Sequence, residues 1–474
     1  MPPVPLSSPP VREGRALLGP VAMAAMVFYL LAAARLALFG SRATDLAFFD
    51  QLLWLLSRGL PTDSTFFPVN LVSDHAALVL LPVGGLYWLG PSVHWLLALQ
   101  AGALALAGVP LWRLGREAGL GPQAAWLPVA ALWLHPGTLG GNGYDFHPDA
   151  FAVPALLWAV LAARRGEMRS CLAALVVVLV CKELFGLVVA ALGAWWWLGE
   201  RRRGLGLAAI ALGAGWFALA TLVIIPHAGA ELGRHGARFA NLGGTPTEFF
   251  SHLAHDPWLL ARALGTWANA GLLASVLLPV AWGLHWRTVG PLLMVAPLLA
   301  LYAVADYAGF KVPGYQYQLL VAAALSVCVA DALAQGRAWL RRPGAILLWS
   351  FAGALAWLDY GAIFSRLEMG MDGWRARAAA VARVPDGVPL IASHRLAPHV
   401  SHRRVIHALD AWPVGASLDA VDAVLIDRDD PFSGNPAGLA VRRRVQSDPA
   451  FEKIFDRGGV ELFVRRVSAD RPRG

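Results

Sequence analysis

The chain has 474 residues, 57% hydrophobic against 15% charged, with 20 Trp and a formal net charge of +8. With apolar stretches of bilayer-crossing length recurring along most of it, this composition excludes an ordinary soluble globular protein and defines a polytopic membrane protein. The positive charge does not point to nucleic acid. Its arginines form short clusters between apolar runs, RLGR at 113–116, RRGEMR at 164–169, ERRR at 200–203 and RAWLRR at 337–342, as cytoplasmic loops do under the positive-inside rule.

In chain order, a Pro-rich tail (1–15) leads into an apolar run from Ala16 to Leu38. That run is too long for a cleaved signal and reads as a retained first helix. Apolar runs then predict about eleven spans, near 17–39, 92–112, 122–138, 149–163, 168–182, 183–198, 204–225, 266–284, 288–305, 315–334 and 343–360. The run 76–90, broken by Pro82 and Gly84-Gly85, reads as an interfacial or re-entrant segment. As a full crossing it would put Arg113 and Arg116 outside; as a re-entrant segment it leaves all four arginine clusters inside. The N-terminus is then cytoplasmic, and external loops fall at 40–91, 139–149, 226–265 and 306–314. After Tyr360 the spans stop. WRARAAAVARV (374–384) and AVRRRV (440–445) have helical spacing, while PLIAS (389–393), DAVLID (422–427) and a pair near 453–455 and 460–464 read as strands. The fold class is an all-α polytopic membrane protein (16–360) with a small extracytoplasmic α/β domain (361–474). Cys171, Cys181 and Cys328 lie in apolar runs and imply no disulfide framework.

This topology collects the remaining polar residues on the external face. TDLAFFDQLLW (44–54) places Asp45 and Asp50 five apart, about 140° apart on one helix, so only one is expected to be the functional acid. An amphipathic interfacial helix with two solvated acids is the alternative. His75 in the Asp74-His75 pair opens the re-entrant segment, as a ligand or a structural residue. YDFHPD (144–149) sets Asp145 and His147 two apart, so in an extended loop both project to one side. Such a pair suits a divalent metal (Mg or Mn) or proton transfer, unless Asp149 merely caps the next helix and His147 packs. Gly140, Gly141 and Gly143 would let this backbone approach a ligand. Lys182 and Glu183, between two short spans, are costly at that depth; they pair with each other or face an anionic ligand. Lys311 lies among Tyr307, Tyr315 and Tyr317, which suits a lipid headgroup, a sugar face or an aromatic belt. Tyr87, Trp88 and Trp95 allow the same two readings, a lipid-tail entry or a belt. His227, His235, His252 and His255 lack the HExxH spacing, and no P-loop, GxSxG or Rossmann fingerprint occurs.

The order of ATDLAFFDQ, DH, YDFHPD, KE, YQYQ and ASHRLAPHVSHRR (392–404) resembles a family of bacterial and archaeal polytopic membrane proteins of unknown function, over about residues 40–430. That family is similar in layout to the GT-C glycosyltransferases, which carry an acid just after the first span and further acids in a later external loop. The likeness implies a GT-C-like enzyme of the bacterial inner membrane that transfers sugar from a polyprenyl-phosphate donor to an external acceptor. Asp45 or Asp50 would be the catalytic acid. His75, Asp145, His147, Lys182, Glu183, Lys311 and Tyr315 would bind substrate, with a divalent cation at Asp145 and His147. Departures are the Asp-Phe-His sequence in place of a plain acidic pair and the lack of a WWD signature. A transporter or flippase gated by Lys182 and Glu183, or a noncatalytic scaffold, are the readings from other classes.

Overall fold

The computed structural model describes residues 10–67, 69–230 and 236–466, giving only the backbone for 10–16, 246 and 361–367. His235 and the first nine residues lie outside the described residues. The chain divides into two compact units, one of Met1–Ala32, Ala98–Pro226 and Glu231–Leu358, the other of Ala33–Leu97, His227–Ala230 and Asp359–Gly474.

The first unit is helical, and a helix occupies each predicted apolar run. The helices in these runs are α1 (Pro10–Ala37), α3 (His94–Glu117), α4 (Trp126–Trp133), α5 (Pro136–Gly143), α6 (Asp149–Arg165), α7 (Met168–Leu179), α8 (Phe185–Leu198), α9 (Arg203–His227), α10 (Trp267–Gly283), α11 (Gly290–Val304), α12 (Gln316–Ala334) and α13 (Pro343–Ala356). Four stretches, Leu17–Ala37, His94–Glu117, Arg203–His227 and Gln316–Ala334, are long and apolar enough to cross a membrane by length and composition. The run predicted at 122–138 is broken at Leu134–His135 into α4 and α5, each of 8 residues. There Pro136 starts a new helix, and the buried His135 ring accepts the Gly137 N–H at 3.0 Å.

The pair α8 and α9 touches backbone to backbone. A methyl group on Gly186 would lie 2.5 Å from the Gly213 carbonyl oxygen, and one on Gly193 would lie 2.5 Å from that of Gly206. Glycines are what such an approach between apolar helices requires, because any Cβ would push the backbones apart.

Ion pairs tie Arg164 and Arg165 of the 164–169 cluster to the ends of neighbouring helices. Arg165 pairs with Glu117 at the end of α3, and Arg164 at the end of α6 pairs with Asp331 on α12 at 2.7 Å and with Glu200, between α8 and α9, at 3.2 Å. Asp149 opens α6 at the opposite end, about 22 Å away at 1.5 Å per residue.

The second unit combines the segment after α1 with the C-terminal residues. One widened turn, Ala43–Ala47, leads into α2 (Phe48–Ser57). The 76–90 segment holds two short turns, Leu80–Val83 and Gly84–Trp88, of 4 and 5 residues, far too short to cross a bilayer. Helix α14 (Tyr360–Val381), interrupted at Gly370 with φ +66°, leads into a five-stranded sheet. Its strands β1 (Leu390–Ala392), β2 (Ile406–Ala408), β3 (Ala423–Asp427), β4 (Phe451–Arg457) and β5 (Val460–Arg465) lie in the order β2-β1-β3-β5-β4. The first three are parallel, and the β4–β5 hairpin adds antiparallel to β3. Helix α15 (Pro436–Ser447) covers the sheet, burying Val441 and Val445 against Ile391, Val424, Ile426 and Phe463. All the predicted strands are present. Only β2 was not predicted: its Ile406-His407-Ala408 lacks the apolar run that marks β1.

Candidate functional site

In the first unit the polar residues collect where α6, the α7–α8 turn and the start of α12 meet. Lys182 and Glu183 are each 6% exposed, and Lys182 Nζ lies 3.4 Å from Asp149 Oδ1 and 5.8 Å from the Tyr317 ring. Asp149 therefore does not cap α6 with its side chain, and it is Asp149 that sits against the lysine. Tyr317 neighbours Tyr315, whose ring meets Tyr144 at 4.1 Å, and Tyr144 stacks on His147 at 5.7 Å. On the other side Tyr317 packs on Phe310 at 4.6 Å and Tyr302 at 5.7 Å. Asp149, Glu183, Tyr317 and Arg238 all act electrostatically on Tyr302. The half-buried Lys311 follows Phe310 and has no ion-pair partner among the described residues. Thus His147, Asp149, Lys182 and Tyr315 share one aromatic-walled cluster, with Glu183 and Lys311 beside it.

The Asp145–His147 loop is not extended. Asp145 has φ +90°, a region costly for any residue with a Cβ and populated only where the surroundings enforce it. Gln100 enforces it. Wholly buried on α3, its Nε2 donates to the Asp145 carbonyl at 2.7 Å, and its Oε1 accepts the His147 N–H at 2.9 Å. The glycines nearby serve the chain's own packing. A methyl on Gly140 would lie 1.9 Å from the Pro313 oxygen, and one on Gly141 would lie 2.8 Å from Leu319, so α5 lies directly against the 313–319 segment. Among the described residues no three His, Cys, Asp or Glu side chains form a metal cage.

In the second unit the two acids of the first loop have separate environments. Asp45, in the widened turn, is half-buried and accepts the Thr44 hydroxyl at 3.1 Å. Asp50 is wholly buried. Its Oδ1 accepts the Tyr87 hydroxyl at 2.6 Å, and its Oδ2 accepts the Ser401 hydroxyl and lies 2.9 Å from His402 Nε2. Burial, then the Asp50 charge, push the Tyr87 hydroxyl well above the usual phenol range. Tyr87 is therefore a buried partner of Asp50 and neither a belt nor a lipid-entry residue, whereas Trp88 is 77% exposed. The neighbouring Gln51 donates to the Arg403 and Arg404 carbonyls, and Thr65 donates to that of Ile406 at 2.6 Å. His75 is half-buried, 3.9 Å from Asp74.

At the carboxyl ends of the parallel strands, His394 follows β1 and bonds Asp410, after β2, at 2.6 Å. Burial opposes ionisation of Asp410, but the His394 bond outweighs it and holds the carboxyl below its usual value. At the end of β3, burial exceeds the pull of Arg377 and raises Asp427.

Sequence reasoning singled out Lys182, Lys311 and Tyr315, the first-loop acids and the 392–404 motif, without joining Lys182 to Asp149 or to the tyrosines. It did not find Gln100, an isolated amide within an apolar run, nor the bonds that tie Asp50 to Tyr87, Ser401 and His402. A lone buried glutamine in a span was the one available signal for the first; pairs 37 and 351 residues apart leave none for the second.

These features define an integral membrane protein with a mostly helical fold and a small C-terminal sheet. Its architecture is similar to that of ArnT from Cupriavidus metallidurans bound to undecaprenyl phosphate, with a TM-score of 0.55 and 14% identity over 97% of this chain and 99% of that one. The same protein in the apo state gives a TM-score of 0.50 and 13% identity over 95% and 100%. At such identity the likeness is one of fold alone. The chain belongs to the family described as a predicted membrane protein (DUF2079), which it matches over residues 35–448. No curated protein matches the sequence.

Proposed function

We propose that the protein is a GT-C-type glycosyltransferase of the bacterial inner membrane. In this reading about eleven helices cross the bilayer, the N-terminus is cytoplasmic, and the C-terminal domain and the catalytic face are extracytoplasmic. It takes a sugar from a polyprenyl-phosphate donor and passes it to an external acceptor. The observation that carries the reading is the buried Lys182 beside Asp149 and the tyrosine wall, at the end of the bundle away from the arginines, in a fold shared with a protein that binds undecaprenyl phosphate. A buried cation facing aromatic rings suits a phosphate followed by a sugar ring.

Asp45 would act as general base for the acceptor hydroxyl, being the first-loop acid that reaches solvent, while Asp50 is committed to Tyr87, Ser401 and His402. Lys182 and Lys311 would offset the charge of the departing polyprenyl phosphate, which leaves as the sugar C1–O bond breaks. Tyr315 and Tyr144 would pack on the sugar, and His147, Glu183, His75 and Asp145 would bind polar groups of donor or acceptor. Asp145 and His147 offer two ligands to a divalent cation, enough for Mg only when phosphate oxygens complete its shell. When bound, such an ion would draw charge from the phosphate.

The test is sugar transfer from polyprenyl-phosphate donors by the purified protein in liposomes. Wild type should transfer, Asp45→Asn should lose on the order of a hundredfold or more in rate, and Asp145→Asn should lose a smaller factor. If wild type transfers nothing from any donor and instead carries solute across the vesicle wall, the protein is a transporter and the reading fails.

A further inference from the structure

We propose that the second unit carries a phosphate-binding site of its own, in the cavity between the 398–403 loop, the Pro91–His94 segment and the end of α1. The cavity has a volume of about 520 Å³, within the range of small-ligand pockets. None of its residues belongs to the lysine and tyrosine cluster of the first unit.

The first observation is a buried cation without a counter-ion. Arg403 is 4% exposed, and every hydrogen bond it makes is to a neutral carbonyl: Nε to Val400 at 2.6 Å, and Nη1 to Val388 at 2.9 Å and Pro385 at 3.4 Å. Its Nη2 makes no hydrogen bond among the described residues, and no carboxylate lies within ion-pair distance there. Burial lowers the guanidinium to about 10, with Asp386 the only opposing charge. Such a group is costly to bury unless an anion joins it.

The second observation is what shares the cavity. His399 lines it with a buried Nε2 that has no hydrogen-bond partner, its ring held 4.4 Å from Phe39. His94, Ser92, Ser401 and His402 complete the polar wall, and Asp386 is the one acid. Donors thus come from two separate segments, Ser92 and His94 on one and Arg403 on the other. A tetrahedral oxyanion accepts from several directions and fits that spread, whereas a planar carboxylate fits one fork of donors. The phosphate can arrive as a free ion or on a lipid. For a lipid, the end of α1 and the exposed Trp88 and Leu89, each 77% exposed just before Gly90 and Pro91, supply an apolar rim.

The inference does not rest on sugar transfer and is read by binding alone. The full-length protein in phosphatidylcholine nanodiscs is titrated with inorganic phosphate and with pyrophosphate by calorimetry, and nanodiscs containing phosphatidic acid are compared for thermal stabilisation. Saturable binding of at least one probe is expected, weakened about tenfold or more in Arg403→Gln and in His94→Ala. Binding of the soluble ions identifies a free phosphate, and stabilisation by phosphatidic acid alone identifies a headgroup. No binding of any probe, or equal binding by folded variants and wild type, overturns the proposal. If Arg403→Gln does not fold, His94→Ala, altered at an exposed side chain, decides it.

Discussion

Gln100 illustrates how one amide sets the geometry of a loop it does not belong to. Its two ends take a donor and an acceptor of the strained Asp145–His147 backbone, so removing either leaves a buried polar group unpaired. Gln100→Leu should cost about 2 kcal/mol or more in stability and abolish transfer. Gln100→Glu, which as the neutral acid keeps the acceptor for His147 N–H and turns an O–H to the Asp145 carbonyl, should recover part of both; thermal unfolding and transfer rates measured together check this. His399 carries a pH dependence. Burial, offset by the Leu36 carbonyl and reinforced by the His94 charge, lowers it to about 4. Folding therefore keeps it neutral while the unfolded chain takes up a proton below about 6.5. Its contribution is intact above that pH and is lost as pH falls towards 4, by roughly 3 kcal/mol in all. Melting curves from pH 7 to pH 4 should show a shallower decline in His399→Asn than in wild type.

Among the elements, the α8–α9 pair has little tolerance for added side chains. Its two reciprocal glycine contacts hold carbonyl oxygens where a side chain would sit, at 2.4–2.6 Å. Gly213→Leu or Gly193→Val should destabilise by about 1–3 kcal/mol through overpacking, whereas Gly204→Ala, with nothing within 4 Å, should be nearly neutral. Detergent-solution melting temperatures distinguish them. Because α8 begins just after Lys182 and Glu183, the damaging substitutions should also reduce transfer. The break between α4 and α5 has a different cause. The pattern of apolar residues runs through it unchanged, and only Pro136 with the His135 ring turns one expected span into two short helices.

For the whole molecule, the ion pairs at one end of the helical bundle give the arginine argument a physical basis. Arg164 and Arg165, from one of the clusters read from sequence as cytoplasmic, pair with Glu117, Glu200 and Asp331 and so join the ends of α3, α6, α8 and α12. The proposed orientation predicts that a periplasm-dependent reporter fused after Ser447 is active and one inserted after Arg202 is silent. The reverse result would put Lys182 and the tyrosines on the cytoplasmic face and remove the externally directed chemistry.

What the sequence determined by itself was the element content. Helix positions, the switch to an α/β domain after Tyr360, the strands at 389–393 and 422–427, and the candidate residues Asp45, Asp145, His147, Lys182 and Tyr315 all follow from apolar period, turn residues and the cost of burying charge, which are local properties. The tertiary structure alone decided who partners whom. Asp149 rather than Glu183 lies against Lys182, Asp50 is sequestered by Tyr87 and Ser401 while Asp45 stays half-exposed, and Gln100 bends the loop that an extended reading would have left straight. Each of these depends on a contact between residues more than thirty positions apart, and such a contact leaves no periodicity in the chain.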